Sequence, residues 1–240
     1  MKRFCVLALC VVLFAGCPPL SQVKTSRNGV AANREVKQDT KQEDDDKNPL
    51  LNPALAKEKA PDKYRVKVET SKGDFVIEVT REWSPKGADR FFNLVKAGFF
   101  KDIAIFRAIE GFMFQFGIHG DPKVSKAWKD AKIDDDESKD GVSNKPGYIS
   151  FATSGKNSRT TQMFINLGDN GRLDSMGFTP FGKVIEGMEI VEKINTEYGE
   201  NHRRVQMRFQ AEGNAYIKEE FPKIDFIKSV SLIDEMDWKK

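Results

Sequence analysis

The sequence predicts a mainly β fold, a barrel or sandwich of many short strands with few helices. Three observations carry this. Short apolar runs, several alternating every other residue, recur between residues 64 and 233 and are separated by turn residues. Only two stretches keep the three-to-four-residue spacing of an amphipathic helix. Every tyrosine and tryptophan, and every phenylalanine except Phe4 and Phe14, falls at or after Tyr64, so a single domain at 64–240 holds the core.

The elements follow in order. Tyr64, Val66 and Val68 share one strand face, and Phe75, Ile77 and Val79 alternate in the same way. Between them Ser71-Lys72-Gly73-Asp74 is turn chemistry, so the pair reads as a β-hairpin. Ser84 then suits a helix N-cap and Pro85 the first helical position. Ala88, Phe91, Phe92 and Val95 fall on one helical face, and Gly98 suits the stop. Further strands are expected at 103–109, 112–117, 147–152, 162–167 and 180–185, with a last one near 225–233. A second helix fits 186–194, with Val191 and Ile194 on its apolar side. The charged stretch 123–145 reads as a surface loop anchored by Trp128, and 199–215 as an inserted loop before the last strand.

The 63 residues before this domain are different in kind. Lys2 and Arg3 precede an unbroken apolar run from Phe4 to Phe14, the length of a signal-peptide core and too short to span a bilayer. Ala15-Gly16-Cys17 follows and resembles the bacterial lipoprotein signal, in which the chain is cut before a lipidated cysteine. The alternative is an ordinary secretory signal cut elsewhere. On the lipoprotein reading, residues 1–16 are removed and several acyl chains on Cys17 anchor the protein firmly. Residues 17–63 then form a lipidated cysteine and a disordered tether. Residues 18–63 hold no aromatic residue, half of the ten prolines and the charge run Lys41–Lys47. Such a segment cannot bury enough apolar surface to offset its ordering entropy. The expected location is a bacterial cell envelope, facing the periplasm or the exterior.

Composition excludes several chemistries. All three cysteines lie at or before Cys17, so the domain has no disulfide, no thiolate zinc site and no thiol nucleophile. Net charge is +3 for 240 residues, and loss of residues 1–16 leaves +1. Nucleic-acid binding draws no support from that balance. His119 and His202 are the only histidines, and no metal site is expected.

The segment Phe106-Arg107-Ala108-Ile109-Glu110-Gly111-Phe112-Met113-Phe114-Gln115 resembles the central motif of the cyclophilins, which are peptidyl-prolyl cis-trans isomerases. Further blocks agree in order and spacing: 147–152, Thr161-Gln162-Met163-Phe164-Ile165, Leu173-Asp174 and Phe181-Gly182-Lys183-Val184. The resemblance spans most of 64–197. It implies an eight-stranded antiparallel β-barrel capped by two α-helices, and a monomeric enzyme without cofactor that acts on proline-containing unfolded or exported proteins.

By the same resemblance Arg107 matches the catalytic arginine, and Gln115 a residue that orients it and bonds the substrate backbone. Phe112, Met113, Phe164 and Leu173 match the proline pocket. Ala152 and Thr153 match the peptide-binding edge and Gln162 another groove position. Phe178 stands near an expected pocket histidine that is absent and is assigned to fill its space. Other departures are Phe106 in place of a common histidine, Glu110 for a frequent proline, Phe116-Gly117 for a glycine pair, and Thr153 for a common asparagine. Arg172 stands where cyclosporin-sensitive members have tryptophan. These departures leave a second reading open, a proline-peptide-binding or chaperone-like module with little catalysis. A third has the basic residues of 199–215 contacting another macromolecule.

Overall fold

The computed structural model describes residues 45–200 and 206–234. The expected signal, Cys17, most of the expected tether and His202 lie outside them. Among the described residues, nine strands form one antiparallel sheet in the order β3-β9-β1-β2-β8-β6-β7-β5-β4. The strands are β1 Lys63–Thr70, β2 Gly73–Thr80, β3 Ile103–Ala104, β4 Arg107–Ile109, β5 Met113–Phe116, β6 Tyr148–Phe151, β7 Met163–Asn166, β8 Pro180–Glu186 and β9 Phe226–Ile233. β3 and β4 stand at opposite ends of the hydrogen-bonded order, yet only Ile105 and Phe106 separate them in the chain. The sheet must therefore curl until its two ends meet. The strand expected over 103–109 is split at this point, which accounts for nine strands against the eight expected.

The expected opening hairpin forms, with Val66 opposite Ile77 and Thr70 opposite Gly73. Helix α1 spans Pro85–Lys96, as the Ser84-Pro85 signal predicts. Its cap differs from the simple expectation. The Ser84 hydroxyl does not cap its own helix but donates to Asp136 Oδ2 at 2.5 Å. Asp136 in turn accepts from the backbone N–H groups of Lys86 and Gly87, at 3.1 and 2.9 Å. A carboxylate fifty residues away thus satisfies the helix's orphan donors and complements its positive end. Phe91 of α1 lies 5.5 Å from Phe100 and 5.3 Å from Phe181 inside the curled sheet. Each such fully buried phenylalanine contributes roughly 1.5–3 kcal/mol.

Three expectations change. The helix expected over 186–194 is a single turn, α3, Met188–Val191. The stretch 123–145 is partly helical, with α2 at Pro122–Trp128; Trp128 anchors it as expected, buried and donating Nε1–H to the Leu50 carbonyl at 3.0 Å. Leu50, Leu51 and Ala56, assigned to the disordered tether, pack on the main core. Glu58 N–H and Ala60 N–H donate to the side chains of Asn93 and Asp89 on α1. This aromatic-poor stretch has no core of its own and borrows one from the domain.

The largest difference lies in 199–215. Residues Gln206–Glu220 form helix α4, broken at Gly213, where φ is 67°. A side chain at 213 would collide with the carbonyl of Gly120, so the kink lets the helix sit directly on that loop. Asn214 fastens it, its N–H donating to Gly120 O at 3.0 Å and its Nδ2 to Asp102 O at 2.7 Å. Beneath α4, Phe106, Ala104, Ile118, Phe209, Tyr216 and Ile217 form a second buried cluster. Phe106, the residue standing for histidine, lies 6.0 Å from Phe209.

Candidate active site

Strand alternation builds the site. Register places Arg107 opposite Gln115, Gln115 opposite Phe164, and Ile109 opposite Met113, which faces Asn166. Arg107, Ile109, Met113, Gln115, Phe164 and Asn166 therefore share one sheet face. Ala108, Phe114, Phe116, Met163 and Ile165 take the other and enter the main core. The same alternation explains Phe116, which lies 6.1 Å from Phe100 in the interior. Gly117 follows with φ 104° and lies flat against the backbone of Thr161 and Gln162, where a Cβ would collide.

The outer face lines a groove of about 620 Å³. It holds all ten expected residues: Arg107, Phe112, Met113, Gln115, Ala152, Thr153, Gln162, Phe164, Leu173 and Phe178. Met113, Phe164 and Leu173 form a buried apolar cluster, with Phe112, Ala152 and Phe178 packed around it. Phe178 meets Phe164 edge to face at 5.7 Å. Arg172 lies outside the pocket floor, its guanidinium 5.1 Å from the centre of the Phe112 ring.

A chain of side-chain hydrogen bonds stands at the rim. Arg107 Nη1 donates to Gln115 Oε1 at 3.2 Å, and Gln115 Nε2 donates to Gln162 Oε1 at 2.9 Å. The Arg107 guanidinium lies 5.8 Å from the Phe112 ring centre. Gln162 also supplies its carbonyl to Ala152 N–H at 2.9 Å, which ties the two sides of the groove together. Thr153 presents backbone rather than hydroxyl, because its Oγ1 donates to Gly155 O at 2.5 Å.

Sequence reasoning missed what supports the pocket. Asn144, Asn166, Asn170 and Asp174 form a polar frame behind it. Asn170 Nδ2 donates to Phe112 O and to Asn166 Oδ1, at 2.7 and 2.8 Å. Asn144 Nδ2 donates to Asp174 Oδ1 and to Phe178 O, both at 2.7 Å. Burial pushes the Asp174 carboxyl upward, but donation from Ser143 Oγ, Asn144 Nδ2 and Asn144 N–H outweighs it and leaves the group below the usual carboxylate range. One signal was available: Asn166 lies two residues beyond Phe164 and so falls on the groove face. Also missed were His119, Gln206 and Gln210 in the groove wall, and Glu200 beside Arg107. Burial holds the His119 imidazole below its ordinary value.

A cationic donor fixed at the edge of an apolar pocket is suited to a ligand with an apolar ring and a polar amide. The comparisons agree. Residues 65–212 match the family model described as cyclophilin type peptidyl-prolyl cis-trans isomerase/CLD. The chain is 35% identical over 156 residues to peptidyl-prolyl cis-trans isomerase A of Dickeya dadantii, covering 63% of this chain and 80% of that one. It is 31% identical over 141 residues to peptidyl-prolyl cis-trans isomerase cypE of Dictyostelium discoideum, covering 58% and 90%. A cyclophilin type isomerase of Cryptosporidium parvum superposes with a TM-score of 0.54 at 21% identity, covering 72% and 99%. The same protein was also solved in the presence of the dipeptide Ala-Pro, with a TM-score of 0.52. The chain belongs to the cyclophilin-type peptidyl-prolyl cis-trans isomerases. It catalyses rotation about peptide bonds that precede proline.

Proposed function

We propose that Arg107 is the catalytic donor and that the enzyme works on exported proteins from a lipid anchor. Rotation about an amide is slow because resonance stiffens the C–N bond, with a barrier near 18–20 kcal/mol. Unassisted prolyl isomerisation takes roughly 10–100 s. A donor aimed at the prolyl nitrogen stabilises its lone pair in the twisted state and withdraws it from resonance. That interaction is weak in either planar isomer, so it lowers the barrier rather than merely tightening binding. Met113, Phe164 and Leu173 hold the ring, with Phe112 and Phe178 at its sides, while the preceding carbonyl swings. Gln115 and Gln162 hold the arginine. No nucleophile takes part in this scheme.

The carrying observation is the Arg107–Gln115–Gln162 chain at the rim of an apolar pocket. The test is a protease-coupled prolyl-peptide assay on the full chain with Arg107→Ala. Loss of one preorganised donor should cost about 10²–10³-fold in kcat/KM, with the far-ultraviolet circular dichroism unchanged. Full activity in that variant overturns the assignment.

Localisation rests on sequence. The basic start, the 4–14 apolar run and Ala15-Gly16-Cys17 support cleavage and lipidation at Cys17. Among the described residues no helix is long and apolar enough to cross a membrane. On this reading acyl chains on Cys17 supply the hold. Metabolic labelling with a radioactive fatty acid should mark the wild type and not Cys17→Ala. Persistent label in the variant removes the anchor. On this reading the enzyme acts as a monomer on proline-containing segments of unfolded or newly exported chains.

A further inference from the structure

Arg107 has a second partner that the isomerisation scheme does not use. Its Nη2 donates to Glu200 Oε1 at 2.5 Å and its Nε to Glu200 Oε2 at 3.2 Å, a two-pronged ion pair. The arginine side chain is 16% exposed and the glutamate 54%. Glu200 is not a chance neighbour. Gly199, the residue before it, makes an antiparallel bridge to Ala108 on the outer edge of β4, beside Arg107. The segment just upstream is pinned as well. Asn195 N–H donates to Asp225 Oδ2 at 2.7 Å, and the Tyr198 ring packs edge to face on Phe221 at 5.4 Å. The backbone thus sets a carboxylate on the guanidinium, and Gln206 and Gln210 of α4 continue that wall of the groove.

A carboxylate is a far stronger acceptor than an amide nitrogen or carbonyl. While it holds Nε and Nη2, those donors are withheld from a bound peptide. Its own exposure leaves Glu200 room to turn outward. What turns it outward most readily is a cation brought by the substrate. An acidic substrate side chain meets Glu200 as a like charge.

Resting on the reading of Arg107 as the donor, we propose that Glu200 is a specificity-determining residue of this groove, favouring peptides with a basic residue beside the proline over those with an acidic one. The experiment measures kcat/KM on the full chain for three peptides that differ only in a Lys, Ala or Glu residue next to the proline. It compares wild type, Glu200→Gln and Arg107→Ala. Wild type should rank Lys above Ala above Glu. Glu200→Gln should raise the Glu peptide most, by about fivefold, raise the Ala peptide about twofold, and remove the Lys advantage; exposed charge pairs act on this scale. High salt should flatten the wild-type ranking more than that of the variant. An unchanged ranking in Glu200→Gln overturns the proposal. A uniform fall for all three peptides also overturns it, since Glu200 would then be holding Arg107 in place. If Arg107→Ala keeps full activity, the donor assignment itself has failed, an outcome separate from both.

Discussion

Two small apolar clusters stand apart from the main core, built from the same kinds of residue. One, Met113, Phe164 and Leu173 with Phe112 and Phe178, opens onto the groove. The other, Phe106, Phe209, Tyr216 and Ile217 with Ala104 and Ile118, is roofed by α4. The difference is in what completes them. The open cluster is held from behind by hydrogen bonds of Asn144, Asn166, Asn170 and Asp174, which leave its front free for a ligand. The covered cluster is held by ring-on-ring packing, with Phe209 against Phe106, Tyr216 and Phe221. An apolar surface serves binding where polar groups support it, and serves stability where another element closes over it.

The sharpest way to break this comparison is to truncate one residue in each. Phe209→Ala empties the centre of the covered cluster and should cost about 3–5 kcal/mol in denaturant unfolding. A loss below about 1 kcal/mol would mean that α4 is not integral to the fold. Asp174→Asn is the next largest. The folded-state pKa of Asp174 is depressed, so its contribution is present above the unfolded value near pH 4 and is lost as pH falls through the folded one. At pH 7 the variant should be about 1 kcal/mol less stable, and wild type and variant should converge below about pH 4. Thermal midpoints across pH read this directly; a constant gap down to pH 2 would reject it. The smallest stability effect is expected for Phe112→Ala, whose ring is half-buried at the pocket wall. Unfolding should shift by about 1 kcal/mol or less, while kcat/KM falls about tenfold as the pocket loses one side. Equal losses in stability for Phe112→Ala and Phe209→Ala would erase the distinction between the two clusters.

The open cluster was legible in the sequence and the covered one was not. Arg107 through Gln115 is a contiguous stretch with a family pattern, and strand alternation alone sends Arg107, Met113 and Gln115 to one face. The hairpin, α1 and most strands were readable because their apolar spacing is local. Helix α4 was not, because Gly213 interrupts its pattern and Met207 and Arg208 face solvent beside buried Phe209. Its reason for being helical is the surface it covers, formed by Phe106 and Ile118 far away in sequence. Glu200 was invisible for the same reason: its place beside Arg107 follows from the bridge of Gly199 to Ala108. The cap of α1 by Asp136 is a third case, a local signal at Ser84 overridden by a distant carboxylate. The docking of Leu50 and Leu51 is a fourth, because composition marks a segment poor in aromatic residues but not the core it borrows.

The order of the sheet also bears on how the chain reaches its final form. β9, the last described strand, lies between β1 and β3, pairing Val68 with Val230 and Ile103 with Ile227. Before it arrives, the hairpin of β1 and β2 has one row of unpaired amides and β3 has no partner among the described strands. Such open edges are templates for association between chains. Ring closure waits for residues some 160 positions beyond their partners in β1, and non-local pairings of this kind slow folding. A chain emerging amino terminus first therefore carries an adhesive seam until β9 is in hand, and a catalyst of slow folding steps is itself a protein with a late pairing to make.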